Sequence, residues 1–324
     1  MPDKTEQEII KNWKGNLSNP KVSICCITFM HENYISQALD SFLMQETSFP
    51  FEIIVRDDGS SDKTAEIIRQ YQKKYSKIIK PILEPENTYS KGIRATPAVF
   101  KKAIGEYIAL CEGDDYWTDK DKLQIQVNFL DNNKEYNGSF HDSLNMYDDE
   151  SKNDLRIGNR DIDEDVDTAS LIYENNIATA SLIFRNNLGE LPKYYQETKK
   201  GDYAVAVRVS EFGKLKYIPR AMSIYRIHEG GIWSLKKQEF HELEAIKFYN
   251  LLYIYFKNNN LRKVITIKIN FSYYRQSINY IRNEQIIFSI KNIIKSISIF
   301  ERKHKSLSYK KYLKELIKYL IKRK

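Results

Sequence analysis

The sequence contains no uninterrupted apolar run of the ~18 residues that a membrane-spanning helix requires. Its opening residues, Met1, Pro2, Asp3 and Lys4, are polar and of mixed charge, unlike the apolar core of a secretory signal. Cysteine is scarce: Cys25, Cys26 and Cys111 are the full set. An odd number with two neighbours adjacent makes a poor disulfide framework, so the three read as reduced core residues of a cytoplasmic protein. No recognisable nucleic-acid reader motif accompanies the basic residues, and no nucleic-acid partner is expected.

The chain has 324 residues, 42% hydrophobic and 13% aromatic, enough for a large domain with an extension or for two domains. Its net charge of +8 conceals a division. From Leu235 to Lys324 there are 21 Lys and Arg against 6 Asp and Glu, and before it 30 against 37. An acidic body carries a basic tail.

The stretch that organises the body runs from Tyr107 to Trp117. Tyr107, Ile108, Ala109, Leu110 and Cys111 predict a buried strand, which ends in Glu112, Gly113, Asp114 and Asp115. Acids at the carboxyl edge of such a strand lie where open α/β sheets bind ligands. Carboxylates this close repel one another unless a cation neutralises them, and hard oxygen ligands suit Mg²⁺ or Mn²⁺. The plainer alternative is a solvated acidic turn.

Upstream, Val22 to Thr28 (VSICCIT) predicts a strand buried on both faces. Asn33 is a candidate cap for a helix with Ile35, Ala38, Leu39, Phe42 and Leu43 on one side. Phe51 to Arg56 predicts a second strand ending in Asp57, Asp58, Gly59 and Ser60, and the next helix groups Ile67, Ile68, Tyr71 and Tyr75. This alternation predicts a parallel, right-handed α/β unit. A short strand from Ile78 to Leu83 follows, then a helix with Thr96 as cap and Pro97 in its first turn. After the central strand, a helix from Lys120 places Leu123, Val127 and Leu130 on one face. Residues 131–176 show only a weak strand signal near Ser139 to Met146. Then come a strand at Ala180 to Phe184, a helix opened by Asp202 with Ala204, Val205, Val207, Val209 and Phe212 inward, a stop at Gly213, and two strands at Leu215 to Ile218 and Met222 to Arg226.

Five motifs in order, VSICCIT with ENYISQALDSFL, EIIVRDDGSSDKT, YIALCEGDDYW, the GDY at Gly201 to Tyr203, and YRIHEGGIWS, resemble family 2 glycosyltransferases. The resemblance spans residues 21–234. It implies a GT-A type Rossmann-like mixed sheet flanked by helices, an α/β fold, with a nucleotide-sugar-binding half at 21–117 and an acceptor-binding half at 118–234. A leader at 1–20 precedes it and a C-terminal helical extension at 235–324 follows. The implied activity is inverting transfer of a sugar from a nucleotide diphosphate donor, UDP-linked by preference, to a saccharide or lipid-linked saccharide. The last motif is most similar to bacterial capsule and O-antigen enzymes.

The resemblance also implies roles. Thr28, Glu32, Asp57 and Asp58 form the nucleotide pocket, with Arg94 near phosphate and Glu112 and Gly113 toward the ribose or sugar. Met30 stands where the family commonly has asparagine. Asp114 and His228 ligate Mg²⁺ or Mn²⁺, Asp115, Arg226 and Trp233 support them, and Asp202 is the catalytic base. Each has a plainer alternative: a β-turn with a helix cap at Asp62, a helix cap at Asp202, a surface histidine at 228, a solvated face for Lys91 and Arg94. A metal-dependent nucleotidyltransferase and a catalytically silent, membrane-associated scaffold are the competing functions.

In the tail, Glu242 to Phe256 and Tyr309 to Lys322 have helical periodicity. Tyr309, Leu313, Leu316, Ile317 and Leu320 form a stripe flanked by lysines. That stripe fits either the inner, anionic surface of the cell membrane or the acidic body.

Overall fold

β1 (Val22–Thr28) has almost every residue buried, because it lies in the middle of a sheet covered on both faces. In the computed structural model, which describes residues 4–147, 156–157, 165–228, 236–282, 288 and 290–295, it is preceded by α1 (Glu6–Ile10), whose Thr5 and Glu8 form a reciprocal cap. α2 (Ile35–Leu43) buries Ile35, Ala38, Leu39, Phe42 and Leu43, the face that its spacing predicts. Ile35, Leu39, Phe42 and Leu43 each contribute about 1.5–3 kcal/mol by leaving water. Its cap position is Tyr34, with no side-chain cap bond, so Asn33 does not cap it.

β2 (Phe51–Asp57) is buried throughout and leads to α3 (Thr64–Lys74) and β3 (Ile79–Leu83). A 3-10 turn at Tyr89–Lys91 precedes α4 (Thr96–Lys102). Thr96 is the first helical residue of α4 and not its cap, which is Ala95. β4 (Tyr107–Leu110) and the two-residue β5 (Tyr116–Trp117) flank the acidic turn. α5 (Lys122–Asn132) buries Leu123, Val127 and Leu130 as predicted. The weak signal near Ser139 proves to be β6 (Tyr136–Tyr147), a 12-residue strand whose polar residues Ser139, His141, Asp142 and Ser143 are buried. Those polar residues hid it from a hydrophobic pattern.

β7 (Arg156–Ile157), β8 (Asp165–Val166) and α6 (Thr168–Tyr173) follow, then β9 (Ile183–Arg185), α7 (Lys193–Glu197) and α8 (Gly201–Ser210). Phe212 lies beyond α8 and is exposed, contrary to its expected inward place. The two strands expected around residue 220 are one, β10 (Lys214–Ile227), with register irregularities between Ile218 and Ser223. Pro219 lies at the irregular segment, where a residue lacking a backbone N–H is tolerated.

The sheet order is β3-β2-β1-β4-β9-β6-β10-β5, with β7 beside β6 and β8 beside β10. β3, β2, β1 and β4 are mutually parallel, whereas β9 runs against both β4 and β6. The direction change falls beside β4, whose end bears the acids.

The chain divides into two compact units, Met1–Gln196 with Gly201–Ser234, and Glu197–Lys200 with Leu235–Lys324. In the second, α9 (Gln238–Tyr255) and α10 (Asn259–Arg282) pack on each other. Phe248, Leu252 and Ile265 are buried, and Arg275 Nε pairs with Glu242 Oε1 at 2.9 Å. The helix expected at Tyr309 to Lys322 lies outside the described residues. Among the described residues no helix is long and apolar enough to cross a membrane.

Candidate active site

The register of the parallel strands sets the site. β1 and β2 end level, Thr28 opposite Asp57, while β4 stops beside Cys25. The turn after β4 then climbs along β1, with Cys111 N–H donating to the Cys25 carbonyl at 3.3 Å and Gly113 N–H to that of Ile27 at 2.9 Å. Gly113 passes so close that a β-carbon there would stand 2.5 Å from Thr28 Oγ1 and 3.2 Å from His31 Nδ1. Only glycine fits this approach.

Asp114 Oδ2 lies 3.1 Å from His228 Nε2 and 3.6 Å from His31 Nε2. His228 thus stands where the resemblance implies a metal ligand, and His31 joins it without having been expected there. The signal was available, since His31 closely follows the carboxyl end of β1, the edge from which Thr28 and Glu32 were selected. Burial drives His31 below its ordinary value despite the Asp114 charge, so at neutral pH it faces the carboxylate uncharged. Burial pushes Asp114 upward, but the His228 hydrogen bond, with help from His31, holds it below the usual carboxylate range. At neutral pH that hydrogen bond is the contact that steadies the carboxylate.

Glu112 and Asp115 are pushed well above their ordinary values, first by burial and then by the neighbouring acids. Asp115 Oδ1 accepts the Arg226 N–H at 2.9 Å, while its buried Oδ2 has no hydrogen-bond partner among the described residues. Ligand atoms of His31, Asp114 and His228 lie within 4.8 Å of one another, as do those of Glu112, Asp114 and Asp115. Mutually repelling acids, an unpartnered carboxylate oxygen and two adjacent imidazoles fit a divalent cation.

Arg226 is engaged within the site. Its guanidinium donates to the Asp114 carbonyl and to Gln37 Oε1, and lies 4.5 Å from the Tyr116 ring centre and 5.2 Å from that of Tyr34. It clamps the acidic turn. Trp233 lies outside the described residues.

The two aspartates ending β2 have different surroundings. Asp57 accepts the Ser60 N–H at 3.2 Å and its hydroxyl, and burial lifts its carboxyl. Asp58 accepts Thr88 Oγ1 at 2.5 Å and Tyr89 N–H at 2.9 Å, and pairs with Arg56 Nη1 at 3.0 Å. Asp58 is therefore committed to holding the loop after β3, and Arg56, which the sequence reading passed over, is its buried counterion. Glu32 accepts the Lys63 N–H at 2.9 Å, and Asp62 accepts that of Thr64 at 3.0 Å, so both order the start of α3. Thr28 Oγ1 is buried without a hydrogen-bond partner among the described residues.

Asp202 is exposed in the first turn of α8, inside the helix, where an N-cap role does not apply. With Glu112 it lines a cavity of about 50 Å³ walled by Ile27, Val99, Phe100 and Val205. Arg94 donates to the Tyr195 carbonyl at 3.4 Å and lies over that ring, near Gly201. Lys91 pairs with Glu86 at 2.5 Å on the surface.

The family model described as glycosyl transferase family 2 matches residues 23–185. An uncharacterised protein of Mycobacterium tuberculosis is 37% identical over 223 residues, 65% of this chain and 60% of that protein. The chain thus spans about 60% of the length of the first curated relatives that it matches. The crystal structure of S. aureus TarS 1–349 in complex with UDP has a TM-score of 0.56 at 17% identity, covering 86% of this chain and 81% of that one. The mannosyltransferase PcManGT of Pyrobaculum calidifontis, in complex with GDP-Man and Mn²⁺, has a TM-score of 0.59 at 12% identity, covering 98% and 85%.

Proposed function

The chain belongs to glycosyl transferase family 2, with the α/β fold of the GT-A type, and we propose that it moves a sugar, with inversion, from a nucleotide diphosphate donor to a saccharide or lipid-linked saccharide hydroxyl. The observation that carries this reading is the division of labour around Glu112. On one side Asp114 meets two imidazoles within ligand distance, and on the other Glu112 shares a cavity with Asp202.

In this reading Thr28 and Asp57 receive the nucleoside, and the β1 and β2 ends orient it. Asp114 and His228 would hold Mn²⁺ or Mg²⁺, which would supply positive charge to stabilise the leaving diphosphate. Asp202 takes the proton from the attacking acceptor hydroxyl on the opposite side, as inversion requires. Glu112 hydrogen-bonds a sugar or ribose hydroxyl through its carboxyl group. The UDP and GDP-Man bound by TarS and PcManGT support a nucleotide-linked donor, and UDP is the preferred one. The similarity of YRIHEGGIWS to capsule and O-antigen enzymes supports a role in bacterial surface polysaccharide synthesis.

The test is nucleoside diphosphate release from UDP-, GDP- and dTDP-sugars with Mn²⁺ or Mg²⁺, using Asp114→Asn as control. Release from one donor, lost in the variant, is expected. Pyrophosphate release would instead indicate nucleotidyl transfer. No release and no nucleotide binding would indicate a silent scaffold.

The basic tail supports attachment to an anionic membrane from the cytoplasmic side, which suits a lipid-linked acceptor. Deleting residues 308–324 is expected to abolish co-sedimentation with phosphatidylglycerol vesicles; unchanged co-sedimentation would remove the tail as the anchor.

A further inference from the structure

The proposed function assigns ligation to Asp114 and His228, although a second imidazole, His31, also meets Asp114. We propose that His31 is a third protein ligand of the same ion and makes the site prefer Mn²⁺ to Mg²⁺; the inference rests on that reading and adds to it the identity of the ion. Three observations carry it.

First, the His31 ring meets those of Tyr34 and His228 edge-on, centroids 6.1 Å apart, packing that leaves its nitrogens unused. Its Nε2 stands 3.6 Å from Asp114 Oδ2, too far for a hydrogen bond. Its Nδ1 is buried and unbonded among the described residues. A buried histidine kept for structure ordinarily bonds through at least one ring nitrogen.

Second, the backbone fixes the ring on that spot. His31 N–H donates to Thr64 Oγ1 at 2.9 Å, and its carbonyl accepts from Tyr34 and Ile35 at 2.9 and 2.8 Å. The preceding Met30 is the one non-glycine residue with positive φ, 57°, among those described, and its N–H donates to Ser60 Oγ at 2.8 Å. A side chain with a long apolar stem adopts that conformation at a cost, and such strain gathers where a side chain must be aimed. Gly113 leaves the opposite wall open, since its missing β-carbon would press on His31 Nδ1 at 3.2 Å.

Third, the donor set differs from one that selects Mg²⁺. Mg²⁺ prefers an octahedron of oxygens and retains several waters, whereas imidazole nitrogens favour first-row transition ions. Two nitrogens and one carboxylate oxygen, all within 4.8 Å of one another, are such a set.

The experiment uses the full chain with Mn²⁺ and UDP. Pulsed electron paramagnetic resonance counts directly coupled nitrogens, and competition calorimetry measures Mn²⁺ and Mg²⁺ affinity in the wild type, His31→Ala and His228→Ala. Two coupled nitrogens are expected in the wild type and one in each variant. His31→Ala should lose Mn²⁺ affinity by about 10-fold or more, with a smaller loss for Mg²⁺. His31→Gln, which keeps the size of the side chain but not the imidazole, should behave as His31→Ala, separating ligation from packing. A single nitrogen in the wild type, lost only in His228→Ala, would overturn the role of His31 and leave the proposed function standing. Failure of the wild type to bind Mn²⁺ at all would overturn both.

Discussion

Gly113 and Thr28 occupy one space: a β-carbon on Gly113 would lie 2.5 Å from Thr28 Oγ1 and 2.6 Å from Thr28 Cβ. The turn carrying Asp114 therefore sits at its height above β1 only because residue 113 has no side chain. The Gly113 N–H bond to Ile27 holds it there.

Gly113→Ala is expected to destabilise the fold by about 1–3 kcal/mol through overpacking, because Thr28 is fixed within a strand. Donor binding should weaken more than the lowered melting temperature explains, since the turn must lift away from β1. Calorimetric UDP titration below the melting transition checks this, and wild-type affinity in the variant would show that the turn relaxes without moving the acids.

Asp202→Asn keeps the shape of the first turn of α8 and removes the basic oxygen. Transfer should fall by about 100- to 10,000-fold, the range for losing a general base, while donor binding stays near wild type. Parallel loss of donor affinity and turnover would assign Asp202 to positioning the site.

Asp58→Ala removes the partner of Arg56, whose side chain is only 2% exposed. Glu84 still reaches the guanidinium at Nε, 3.1 Å, but Nη1 is left buried without its carboxylate partner. A loss of about 3 kcal/mol in denaturant unfolding is expected, together with faster proteolysis of residues 84–91. A change near zero would mean that Glu84 alone suffices.

Lys122 is fully buried, its Nζ 4.1 Å from the Trp117 ring centre, and burial lowers its pKa to about 7. The unfolded chain keeps this amine protonated up to about pH 10, as an ordinary lysine does. Between these values the unfolded state binds more protons, so stability rises with pH from about 7 to 10, and the full cost is present below 7. Lys122→Met should therefore be more stable than wild type at about pH 6, by about 1–3 kcal/mol, with a smaller difference at pH 9. Unfolding by urea at the two pH values measures it. A less stable variant at both would mean that the cation's attraction to Trp117 outweighs its burial.

The sequence by itself determined the strands β1, β2 and β4, the inward faces of α2, α3 and α5, and the acids at the strand ends. These are local properties: an apolar run long enough to cross a core, or a spacing near 3.6, reports burial without reference to distant residues. β6 gave only a weak signal for the same reason, because Ser139, His141 and Asp142 are buried polar residues that interrupt a hydrophobic pattern. Tertiary structure decided which charged groups are held by protein partners and which are left for a ligand. Asp57 and Asp58 are neighbours in sequence, yet Asp58 is tied to Arg56 and the Thr88 loop. Arg226, expected to support the metal ligands, is held against Tyr34 and Tyr116, whereas the inconspicuous His31 faces Asp114. Such pairings depend on the register between segments as distant as those of Gln37 and Arg226, 189 residues apart, and a one-residue shift along a strand would turn each side chain to the opposite face of the sheet.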